Sequence, residues 1–151
     1  MASTVAAAAL TVTITEQITL NGTTYDQNVV KAISGIGNYT KSIHTVTGSG
    51  VAHNIAEFVP TASGNKYAVE DLRYVRVTNL DDTDRVVVSF SSTGASAGIE
   101  CKPKSSAVLF DKRIGASRLA GPVSKTNTIG NVYLFNPTSS GIDVELVVAT
   151  I

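Results

Sequence analysis

From Leu10 to Leu20 the chain alternates apolar and polar side chains: Leu10, Val12, Ile14, Ile18 and Leu20 fall on one parity, Thr11, Thr13, Thr15 and Thr19 on the other. Neighbouring side chains of an extended backbone point to opposite faces, so this run reads as a strand with one apolar face, or as two strands joined near Glu16-Gln17. Glu16 lies on the apolar parity, where an unpaired carboxylate is costly to bury, and the spacing predicts a bulge, a bend or an edge there. Asn21-Gly22 comes next, the dipeptide that supplies positive φ at both central positions of a type I′ hairpin turn. The chain is therefore expected to reverse into Tyr25, Val29 and Ile33.

The same period recurs along the chain. "NYTKSIHTVT" lies between Gly35/Gly37 and Gly48/Gly50, and "VAHNIAEFV" runs up to Pro60 and a "TASGN" turn. "AVEDL" reads as a helical turn. "VRVTNLDDTDRVVVSF" carries two alternating runs about a polar loop, and "SSTGASAG" leads into "IECKPKSSAVLFD", read as one further strand. The C-terminal "NVYLFNPTSSGIDVELVVATI" repeats the hairpin grammar: Val75, Val77 and Asn79 match Val132, Leu134 and Asn136 in spacing, each Asn opening a short polar loop before a strand. Thr and Val are abundant, while Leu, Glu and Lys, which fill ordinary helices, are scarce. About eight strands separated by turn signals predict an all-β fold, a single-domain β-sandwich of jelly-roll-like form. At 151 residues such a chain buries roughly two-thirds of its unfolded surface in one core. The domain is expected over residues 10–151, with an N-terminal arm at residues 1–9. "MASTVAAAAL" has no basic residue ahead of its apolar run and reads poorly as a signal peptide, and no stretch approaches the ~20 apolar residues of a membrane span. In the last strand Ile142, Val144, Leu146 and Val148 share a face, while Asp143 and Glu145 give way to Val147, Ala149 and Ile151 on the other. A strand ending apolar on both faces is central in a sandwich or pressed on another subunit, so Val147, Ala149 and Ile151 are candidate protein contacts.

No catalytic, cofactor-binding or metal-ligating set emerges, and no cofactor is expected. His44 and His53 are the only histidines and form no HExxH or HxH pattern. Cys101, the single cysteine, lies between Glu100 and Lys102, without a histidine or oxyanion donors nearby in sequence, and reads as a partly buried strand thiol. Gly48-Ser49-Gly50 lacks the strand–elbow–helix setting of a hydrolase serine, and Gly35-Ile36-Gly37 is too short for a nucleotide fingerprint. Two Asn-x-Thr glycosylation patterns, at Asn21 and Asn38, arise easily in a Thr-rich chain. Counted from Asp81, the sixth and twelfth positions of a calcium loop would be Val86 and Ser92 rather than Gly and Glu, so Asp81, Asp82 and Asp84 read as turn chemistry. Formal net charge is zero, yet Lys102, Lys104, Lys112, Arg113, Arg118 and Lys125 face only Glu100 and Asp111. This positive segment suits docking onto an acidic partner or head-to-tail pairing of subunits, and it lacks the interleaved aromatics of a nucleic-acid site.

"YVRVTNLDDTDRVVVSFSSTG" followed by "IECKPKSSAVLFD" resembles the core of small tailed-bacteriophage virion proteins. In these a strand ending in a T-N motif, a polar hairpin and a "K-P-x-x-S-x-x-L" strand recur within compact β-sandwiches. The resemblance runs from Tyr74 to Asp111, with Lys104 standing where a turn glycine is usual. It implies a non-enzymatic virion protein, expected to decorate the outside of the head, with the major capsid protein or another virion protein as partner. Assembly would take place in the host cytoplasm, and self-association as a homo-oligomer, a trimer first, is expected; nucleic acid and membrane are not. A tail or fibre subunit is the alternative in that class. A carbohydrate-binding β-sandwich module is the alternative outside it, its aromatic platform drawn from Tyr25, Tyr39, Tyr67, Tyr74 or Tyr133.

Overall fold

The computed structural model describes residues 6–48, 50–92, 95–110 and 129–151. Strands β1 (Ala8–Leu20) and β2 (Thr23–Ile36) form a long hairpin of their own; β3 (Asn38–Val46), β4 (Ala52–Val59) and β5 (Tyr67–Ala68) follow. After a 3-10 turn at Val69–Asp71 come β6 (Leu72–Asn79), β7 (Val86–Ser92), β8 (Ala95–Cys101), β9 (Ser106–Phe110), β10 (Asn131–Phe135) and β11 (Ile142–Thr150). The fold is all-β, and the turn falls within "AVEDL", as expected.

Two sheets face each other, one ordered β5-β4-β10-β7-β8 and the other β3-β11-β6-β9. Set aside β1, β2 and β5 and number the remaining eight strands along the chain: the sheets then read 2-7-4-5 and 1-8-3-6. That is the order of two interlocked Greek keys, the jelly roll. The sandwich thus has eight strands, but not the eight expected: the expected count included both strands of the N-terminal hairpin, which with a two-residue edge strand is added to the sandwich. One boundary differs from expectation. "IECKPKSSAVLFD" is not one strand but β8 and β9, in different sheets, parted by a turn in which the Ser105 amide donates to the Lys102 carbonyl at 3.1 Å. Pro103 sets the first central position and Lys104 takes the second at φ +59°, the left-handed conformation that glycine ordinarily fills.

Inward residues of both sheets make the main core, including Val75, Val77, Val86, Val88, Phe90, Val132, Leu134, Ile142, Val144 and Leu146, all nearly or wholly buried. Two buried asparagines tie the sheets together. Asn79, ending β6, accepts from the Asp81 amide (3.0 Å) and donates to the carbonyls of Asp84 (2.8 Å) and Cys101 (3.1 Å), the last on the opposite sheet. Asn136, just past β10, accepts from the Thr138 amide (2.9 Å) and donates to Ser140 (2.6 Å) and, across the sandwich, to Val46 (2.9 Å). The spacing echo in the sequence is therefore one device used twice, once from each sheet. The Asn136 loop packs so close to Gly48 that a Cβ there would lie 2.1 Å from the Thr138 carbonyl oxygen.

β11 lies between β3 and β6, the central place its two apolar faces allow. Its outward residues Val147 and Ala149 are covered by the chain's own hairpin: Leu10, Val12, Ile33 and Ile36 pack there with Tyr74 and Phe110 in a second cluster. Burying Ile33, Ile36 and Val147 in this way stabilises by about 1.5–3 kcal/mol each. The expectation that Val147 and Ala149 meet another subunit is corrected accordingly, because an apolar face needs a cover and the hairpin base supplies it.

Candidate protein-contact surface

Beyond its base the hairpin leaves the body. Asn21 and Gly22, at φ +50° and +80°, close it as the Asn-Gly turn requires. Ile14 pairs with Val29, Glu16 with Gln27, Ile18 with Tyr25 and Leu20 with Thr23, without a register shift over this stretch. Directly paired residues share a face, so these eight make one side of the ribbon. The other side carries Thr13, Thr15, Gln17 and Thr19 against Val30, Asn28, Asp26 and Thr24, with side-chain bonds Gln17 to Asp26 (2.9 Å) and Thr19 to Thr24 (3.1 Å). Ile14, Ile18, Leu20, Tyr25 and Val29 are 41–59% exposed. The face that packs at the hairpin base thus runs on into solvent as an apolar stripe, interrupted along β1 once, at Glu16, and along β2 at Lys31 and Gln27. Of the bulge, bend or edge expected at Glu16, the edge is what occurs: both strands of a two-stranded sheet are edges, and an exposed carboxylate needs neither bulge nor bend. A two-stranded hairpin by itself is marginally stable in water.

The second surface is the outward face of the four-stranded sheet, away from the hairpin base. Glu145 on β11 lies there between Lys41 of β3 (2.6 Å) and Arg76 of β6. The Lys41 ammonium, with the Arg76 guanidinium, holds the Glu145 carboxyl below its ordinary range against the opposing effect of burial. Two cations on one carboxylate leave this cluster net positive. Ile43 and Val108 flank it, 61% and 40% exposed. Sequence reading singled out none of these five residues as a contact, although β3 carries a signal: Tyr39 and Ile43 share its outward parity with Lys41, while Ser42 and His44 share the inward parity with Val46.

Of the basic segment, Lys102 and Lys104 are described, both exposed. Lys104 pairs with Asp82 (2.9 Å) and donates to the Leu80 carbonyl. Lys112, Arg113, Arg118 and Lys125 lie outside the described residues. Ile151 is 48% exposed beside the hairpin base. The acidic loop is turn chemistry: one Asp81 carboxylate oxygen accepts from the amides of Asp84 (2.7 Å) and Thr83 (2.8 Å), which lower its pKa. Cys101 is buried, and burial pushes its thiol up. No group of three His, Cys, Asp or Glu able to hold a metal occurs among the described residues. The tyrosines do not gather: Tyr25 is on the arm, Tyr39 is exposed on β3, Tyr74 is buried, and Tyr67 stacks obliquely on Phe58 with ring centres 5.7 Å apart.

No protein-family model matches the chain, and no curated protein matches it. Among solved structures, it is similar to the crystal structure of QdtA, a sugar 3,4-ketoisomerase from Thermoanaerobacterium thermosaccharolyticum in complex with TDP, at 10% identity and a TM-score of 0.41. The match covers 93% of this chain and 80% of that one. At this level of similarity no residue role or activity passes from that protein to this chain.

Proposed function

We propose that the chain is a non-enzymatic structural protein of a bacteriophage particle, a decoration protein on the outside of the head. The observation that carries the reading is the hairpin arm, whose apolar stripe continues past the body. Free in water, that stripe is a liability; laid on a neighbouring subunit, it is a joint. The resemblance between Tyr74 and Asp111 supplies the virion context, and a jelly roll suits it without requiring it, since the same architecture serves in capsids, lectins and cupins. In this reading the major capsid protein or another virion protein receives the subunit, and further copies extend the contact.

Mass spectrometry of purified particles together with electron microscopy of the head surface tests the proposal. The expected outcome is the chain present in many copies as density on the outside of the head. Density confined to the tail would replace this reading with the tail or fibre subunit, and absence from particles would end both.

A further inference from the structure

The arm and the uncovered part of the four-stranded sheet complement each other. On the arm, the pair Ile14/Val29 and the pair Ile18/Tyr25 lie on one face with Glu16 between them, four residues or ~13 Å apart. On the sheet, Ile43 of β3 and Val108 of β9 are separated by β11 and β6 and lie two residues out of line, Ile43 level with Glu145 and Val108 level with Arg76, which puts them ~16 Å apart. Between them lies the Lys41–Glu145–Arg76 cluster, in which two cations share one carboxylate; Asp143, two residues before Glu145 on the same face, accepts from the Thr45 hydroxyl at 2.7 Å. Glu16 has no ion-pair partner among the described residues. On each surface two apolar patches thus flank a charged centre at similar intervals, Glu16 on the arm and the Lys41 and Arg76 cations on the sheet, while Lys31 nearer the base of the arm face and Asp143 beside Glu145 supply a further pair of opposite charges.

We infer that the exposed arm of one copy lies across the Ile43–Val108 face of a second copy, placing Glu16 over the Lys41–Arg76 cations. This deepens the structural reading above and rests on its claim that subunits join through the arm. A second copy is the occupant because the base of the arm already packs on this same sheet face, against Tyr74, Val147 and Ala149. The distal stripe continues that packing surface, but it runs off its own body and leaves its own Ile43 and Val108 uncovered. Donor and acceptor are different patches, so two copies can exchange arms about a two-fold axis, or several can pass them head-to-tail around a small ring. Strand ribbons crossing a sheet at a steep angle are an accepted packing mode.

The test is sedimentation of the full chain at micromolar concentration and moderate salt. Wild type is expected to run as a discrete oligomer. An arm variant, Ile18→Asp with Tyr25→Ser, and a sheet variant, Ile43→Asp, are each expected to run as monomers with unchanged circular dichroism, since all three sites are exposed. Mixed at about tenfold higher concentration, because one contact lacks the avidity of a closed assembly, the two variants should pair as dimers and go no further. Each pair then holds one intact arm on one intact sheet. Monomeric wild type, a sheet variant that still assembles, or a mixture that stays monomeric would each overturn the inference. None of these outcomes bears on whether the chain is found on particles, which the mass spectrometry above decides separately.

Discussion

Asn79 and Asn136 each hold a loop and the opposite sheet with a single side chain. Each has a buried amide that satisfies backbone groups in its own loop and one carbonyl on the opposite sheet. Replacing either by Ala leaves those carbonyls without donors and is expected to cost about 2–4 kcal/mol in urea unfolding. Asn→Asp should cost more than Asn→Ala, because it sets a carboxylate against the carbonyls that the amide had served. Equal losses from both changes would mean that the donor nitrogen contributes little. The spacing of these residues was plain in the sequence. What was not plain was the reach across the sandwich, since a spacing pattern does not say which distant carbonyl lies opposite. Titration adds a second expectation. Burial lowers the pKa of His44, Lys41 and Arg76 lower that of Glu145 against burial, and turn amides lower that of Asp81. In each case the unfolded chain binds protons more readily than the folded one, so stability rises with pH and falls on acidification. Thermal melts between about pH 7 and pH 3 should decline first below about 6.5 through His44 and again below the ordinary carboxylate range. Glu145→Gln should flatten the acid limb while leaving the first decline in place.

At the scale of elements, the hairpin was the most legible part of the chain and the most misleading. Alternation from Leu10 to Leu20 and the Asn21-Gly22 turn located both strands, but period two says which face is apolar and not what covers it. The base of that face is buried on Val147 and Ala149, while its far half is bare, and apart from Glu16 the alternation along β1 is the same in both. The turn at Pro103-Lys104 was hidden for a different reason: a lysine occupies the left-handed position at which a glycine would have announced a break. Because the far half of the ribbon packs mainly on itself, the sandwich should not depend on it. Joining Val12 directly to Lys31, which are paired across the ribbon, through an Asn-Gly turn is expected to change unfolding free energy by less than about 0.5 kcal/mol. A larger loss in urea titrations would show that the arm braces the body. Self-association, by contrast, should disappear with it.

For the whole molecule, strand number and turn placement indicated a jelly roll, while strand order became visible only in the folded chain. Order depends on which edges meet, and single strands carry little information about that. The charge asymmetry belongs to this scale too. Reversing Lys102 together with Lys112, Arg113, Arg118 and Lys125 is expected to weaken attachment to particles lacking the protein, more at low salt than at high, because screening removes the same attraction. Counting bound copies across a salt series checks this, and equal binding at every salt concentration would make the segment a solvated surface. The central position of β11 has a kinetic consequence as well. Its ladder joins Asn38 to Thr150 and Val46 to Ile142, so the four-stranded sheet has no middle until almost all of the jelly roll has been synthesised. At ~5–20 residues per second, β3 waits several seconds or more on the ribosome before its neighbour exists. Pairings of such long range close slowly, in milliseconds to seconds. The body of this protein therefore folds only after β11 has been made, whereas the hairpin, whose two strands are adjacent in sequence, can zip up in ~1–10 μs as soon as it emerges.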